Sequence, residues 1–164
     1  MTNFLLLTLV AVGVAAATLM TLAALRAAQG RRREERLLAT LQRSHLAGLH
    51  DLEPQAFHTC VMCLLRRNGC APKRLRGYRR LLLARTGRGE TLVQWRFWTA
   101  AVLGDNELRQ LERAMRRRGL RRGMLLTAGD IADGLGARAA RAGIDLVDGR
   151  AIVRRLLGDS YRGR

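Results

Sequence analysis

A chain of 164 residues with 30 basic against 13 acidic side chains carries a formal charge of +17, which points to a polyanionic partner, either nucleic acid or lipid headgroups. Only Lys73 among the basic residues is a lysine, and the arginines are spread along the chain rather than gathered in one run. Three cysteines (Cys60, Cys63 and Cys70) without a second Cys-x-x-Cys pair argue against a structural zinc site.

The first 25 residues contain no charged side chain. From Phe4 to Leu25 the run FLLLTLVAVGVAAATLMTLAAL is apolar apart from three threonines, whose hydroxyls can bond back to helix carbonyls. At about 1.5 Å per residue the run reaches about 33 Å, enough for a hydrocarbon core of about 30 Å. A cleaved signal peptide fits poorly, because no Lys or Arg precedes the run and its length exceeds the usual ~7–15-residue core. Residues 1–30 are therefore expected to form a transmembrane anchor that meets membrane lipid through residues 4–25. The basic flank at Arg26, Arg31, Arg32, Arg33 and Arg36 predicts an N-terminus outside the inner (cytoplasmic) membrane and the rest of the chain in the cytoplasm. Small residues four apart, at Gly13 and Ala17 and at Ala11 and Ala15, would let two such helices pack closely, so a homodimer is one expectation.

Residues 31–50 read as a charged helical linker. Asp51-Leu52-Glu53-Pro54 then reads as a helix start, and Asn68-Gly69 as its end after Arg67. Phe57, Cys60, Val61, Leu64 and Leu65 share one face of that helix, which gives the cysteines a packing role rather than a metal-binding one. Gly77–Arg85 and Glu90–Trp98 read as strands joined by the tight turn Thr86-Gly87-Arg88-Gly89. A helix capped by Asp105 or Asn106 is predicted to run to Arg118-Gly119. A strand at Met124–Thr127 follows, then a helix from Asp130 to Ala142. Ile144–Val147 is the last predicted strand, and a helix from Gly149 to Leu157 closes the domain. The hairpin followed by strand–helix–strand units predicts an α/β fold with a mixed central sheet flanked by helices, over residues 51–158, with a basic tail at 159–164.

Four segments in this order resemble the Mrr-type restriction endonuclease domain, of the PD-(D/E)xK fold: PQAFHTCVMCLLRRNG (Pro54–Gly69), LVQWRFW (Leu92–Trp98), RGMLLTAGD (Arg122–Asp130) and AARAGIDLVDG (Ala139–Gly149). The resemblance implies a Gln-x-Lys pair on the second segment, an Asp on the preceding strand and a Glu on the first helix, which together hold Mg²⁺ for phosphodiester cleavage. Gln94 matches the first residue of the pair. The Lys position holds Arg96, the Asp position falls at Arg80 or Leu81, and the helix Glu position at His58. Glu90, Asp105, Glu107 and Glu53 offer no obvious substitute. An arginine does not deprotonate to act as a base, and positive charge at Arg79 and Arg80 opposes a cation. No metal ligand is therefore assigned. Arg79, Arg80 and Arg96 are expected to contact phosphate, with DNA or another polyanion as partner. The alternatives are an active Mg²⁺-dependent DNA endonuclease with a rearranged site, and a structural module of a membrane complex.

Overall fold

The computed structural model describes the backbone of residues 2–87, 89–97 and 102–158 and, within the first helix, the side chains of residues 17–26, 28, 29, 32–42, 47, 49 and 50. Trp98 and the basic tail at 159–164 lie outside the described residues, as do the side chains of residues 4–16, the larger part of the apolar run. The chain divides into two compact units, Met1–Arg36 and Leu37–Arg164.

The first unit is helical, part of a continuous helix α1 (Thr2–His50). Here the Thr21 hydroxyl donates to the carbonyls of Ala17 at 3.0 Å and Thr18 at 2.9 Å, the back-bonding expected of a threonine in an apolar helix. Leu19, Met20, Leu22 and Leu25 are exposed. Among the described residues no helix is long and apolar enough to cross a membrane.

The second unit opens with the last turns of α1. Leu37, Leu41 and Leu49 are buried in its core, so part of the stretch expected to be a linker packs with the domain. Next come α2 (Pro54–Arg67), β1 (Ala71–Arg74), β2 (Leu81–Thr86), β3 (Gly89–Arg96), α3 (Asp105–Arg116), β4 (Gly123–Thr127), α4 (Leu135–Arg141), β5 (Ile144–Val147) and α5 (Gly149–Leu157). The five strands lie in chain order across one mixed sheet. β1, β2 and β3 pair antiparallel, whereas β3–β4 and β4–β5 are parallel and connected through α3 and α4.

Strand alternation divides the core in two. Leu82, Ala84, Val93, Trp95, Leu126 and Val147 face α2 and α5. Leu81, Leu92, Leu125 and Ile144 face α3 and α4. On α2 the buried Phe57, Cys60, Val61, Leu64 and Leu65 form the expected apolar stripe. Burial, with the neighbouring Cys63 adding to it, pushes the Cys60 thiol up to about 12, so this sulfur remains protonated inside the core.

Four local expectations need correction. Within the helix start expected over Asp51-Leu52-Glu53-Pro54, the cap of α2 is Glu53, so Asp51 and Leu52 lie before the helix. The strand expected from Gly77 starts at Leu81, because Gly77 adopts φ +80° and the chain turns through Arg80. The cap of α3 is Gly104, whose N–H donates to the Glu107 carboxylate at 3.3 Å, while Asp105 sits inside the first turn. The helix expected from Asp130 begins only at Leu135, because Ile131 is recruited into a parallel bridge with Leu103.

Candidate nucleic-acid interface

The register of β2 and β3 sets Leu81 directly opposite Gln94. Gln94 and Arg96 are two apart on β3 and therefore point to one face of the sheet, toward α3. The intervening Trp95 points the other way, where it meets Phe57 at 6.0 Å and His58 at 5.4 Å between ring centroids. Phe97 also packs on Phe57, at 5.4 Å. These two aromatics thus belong to the α2 side, in line with a packing role. The indole N–H of Trp95 is buried with no hydrogen-bond partner among the described residues.

On the α3 side the two polar residues form a network. Arg96 Nη2 donates to Gln110 Oε1 at 2.7 Å. With the Gln94 amide oxygen turned toward it, Arg96 also donates from Nε at 3.3 Å and from Nη2 at 3.2 Å. Gln94 is only 6% exposed, so its amide needs these partners. Burial lowers the Arg96 pKa, the neighbouring Arg80 lowers it further, and Glu107 opposes both. An arginine nevertheless keeps its proton throughout the physiological range.

This network lies at the wall of a cleft of about 580 Å³. The turn before β2 contributes Gly77, Tyr78, Arg79 and Arg80, β2 contributes Leu81, and β3 contributes Gln94 and Arg96. Gln110, Arg113, Ala114, Arg117 and Arg118 line it from α3 and the turn after it. Six arginines thus converge, and no lining residue is Asp or Glu. All four residues singled out by sequence (Arg79, Arg80, Gln94 and Arg96) meet here. Sequence reasoning missed Arg113, Arg117, Arg118 and Gln110. Their one signal is helical spacing, because Gln110, Arg113 and Arg117 recur three and four residues apart, off the buried Leu108–Leu111–Met115 stripe.

His58 does not join them. It sits on the α2 side of the sheet, with Arg74 Nη2 at 3.4 Å from its Nδ1. Partial burial and then the Arg74 charge lower its pKa, favouring neutral imidazole.

The donor set does not fit Mg²⁺, a hard cation held by oxygens that usually include carboxylates. Leu81 stands opposite Gln94, and the side-chain oxygens of Gln94 and Gln110 are engaged by the Arg96 guanidinium. Among the described residues no group of three His, Cys, Asp or Glu side chains is arranged to hold a metal ion.

Comparison with known proteins places this fold. The family model described as restriction endonuclease (Mrr_cat) matches residues 49–156. The DNA modification-dependent restriction endonuclease AspBHI superposes with a TM-score of 0.53 at 15% identity, over 79% of this chain and 36% of that one. The MspJI restriction endonuclease, solved in complex with a 27-mer oligonucleotide, gives a TM-score of 0.38 at 17% identity, over 90% of this chain and 32% of that one. The chain therefore spans about a third of the length of either enzyme. No curated protein matches it.

Proposed function

This chain belongs to the Mrr_cat restriction endonuclease family, and from that membership we propose that its domain is a catalytically silent nuclease fold that binds DNA through the arginine-lined cleft. The observation that carries this reading is the exchange of charge in the cleft. Where the family resemblance calls for an Asp and a Lys around a metal, this chain has Arg80 or Leu81, and Arg96, and six arginines line the wall without a carboxylate. Such a wall attracts phosphate directly, with no cation needed to bridge two negative groups. Arg96 is braced in the wall by Gln94 and Gln110, and its positive charge adds to the attraction of the cleft for phosphate.

The test is a gel-shift titration of the full chain in mild detergent with EDTA present. Retardation of DNA at low salt that falls steeply as salt rises is the expected result. Absence of retardation at low salt would refute the reading, as would nicking of plasmid DNA when Mg²⁺ or Mn²⁺ is restored.

We further infer that the apolar run 4–25 tethers this domain to the inner membrane, with the N-terminus outside. Support comes from the absence of charge in the first 25 residues, the arginines that follow, and the exposed Leu19, Met20, Leu22 and Leu25 on α1. After cell lysis the chain is expected to sediment with membranes and to resist extraction by alkaline carbonate. Release of the chain by carbonate would reject the tether.

A further inference from the structure

The cleft carries one feature that phosphate binding does not use. Tyr78, which lines it, is 47% exposed; among the described residues from Leu37 onward, Val102 is the only other exposed large hydrophobic side chain. It stands on the turn between β1 and β2, held by its N–H to the Leu75 carbonyl at 3.2 Å. The Arg118 guanidinium lies over the ring, 4.8 Å from its centroid. One face of the phenol is thus taken by a cation, while about half of the residue is exposed and it lines the cleft together with Arg79 and Arg113.

A basic groove with an aromatic platform is the arrangement by which proteins hold single-stranded nucleic acid: charge tracks the backbone while a base stacks on the ring. Paired bases in a duplex are already stacked on one another and offer no free face to a side chain. Size points the same way. A B-form duplex, whose major groove alone is about 12 Å wide, can lie across the mouth of a cleft of about 580 Å³ but cannot enter it. A single strand can enter. Resting on the cleft as the DNA site, we propose that it takes an unpaired DNA strand, with a base stacked on Tyr78 to complete a base–Tyr78–Arg118 sandwich and the strand's phosphates held by Arg79 and Arg113.

The proposal is tested by fluorescence anisotropy on the full chain with three labelled probes of equal length: a single-stranded oligodeoxynucleotide, its duplex, and an abasic strand with the same phosphates. The intact single strand is expected to bind more tightly than both others. Tyr78→Ala should weaken its binding by about 5- to 140-fold, the range typical of removing one stacking platform, and should leave the abasic strand unchanged. Tyr78→Phe keeps the ring and should retain the preference. Because Tyr78 is exposed, neither variant should shift the thermal unfolding midpoint. Equal affinity for the intact and abasic strands, or no effect of Tyr78→Ala, overturns the stacking role while the arginine cleft stands as a DNA site. Binding of none of the probes overturns both readings.

Discussion

Phe57→Ala is expected to lower the free energy of unfolding by about 3–5 kcal/mol, the cost of emptying a buried phenylalanine site. Phe57 has no solvent exposure and joins α2 to Trp95 of β3 at 6.0 Å and to Phe97, just beyond that strand, at 5.4 Å. Removal of the ring leaves a void bounded by the sheet on one side and its own helix on the other, where neither can collapse without disturbing the Trp95 strand. Small domains have roughly 5–15 kcal/mol of total stability, so the variant should be substantially unfolded in mild urea. Urea titration followed by tryptophan fluorescence reads this directly, because Trp95 reports from the cavity wall. Phe57→Leu, which keeps most of the volume, should cost far less. A change below about 1 kcal/mol for Phe57→Ala would mean that the α2 face of the sheet is not packed as described.

The second large effect concerns binding. Arg113→Glu combined with Arg117→Glu should abolish most DNA retention at moderate salt. The salt dependence should also become shallower by roughly two units of logarithmic slope, one for each phosphate that no longer has its arginine. Both side chains are exposed on the cleft side of α3, away from the Leu108–Leu111–Met115 stripe, so the fold should survive. The weakening should be uniform across DNA sequences, because phosphate contacts carry no base information. A matched pair at Arg150 and Arg154, exposed on α5 and outside the cleft, removes the same net charge and serves as control. Equal weakening by both pairs would assign binding to overall charge rather than to the cleft.

Much of the fold can be read from residue order. The periodicity of α2 and α3, the glycine-bearing turn between β2 and β3 and the short apolar runs at β4 and β5 each determine their own element locally. The four segments that carry the resemblance, from Pro54 to Gly149, fall inside the family match over 49–156. What escapes a sequence reading has tertiary causes. Ala71–Arg74 carries Pro72, Lys73 and Arg74 and no apolar alternation, and becomes a strand only through its pairing with β2 at the sheet edge. Asp130 to Gly134 has the residues of a helix start, but Leu103, nearly thirty residues earlier, draws Ile131 into a bridge. In the cleft, the residues of the Gln-x-Lys remnant are legible because they sit in one strand. Arg113 and Arg117 are not, because only the β3–α3–β4 crossover brings that helix face beside Arg96.

The sheet runs in strict chain order, β1 to β5. A ribosome delivers about 5–20 residues per second, so each strand after β1 emerges to find a neighbour already made. After β1, no strand must wait, with both edges exposed, for its first partner to be synthesised. The longest unsatisfied edge during synthesis is the one strand last completed, and one of the two outer edges of the finished sheet, β1, is guarded by Pro72 and by the charges of Lys73 and Arg74. A strongly basic chain is thereby spared a long interval as an open template on a crowded polysome, where nucleic acid and other nascent chains compete for it.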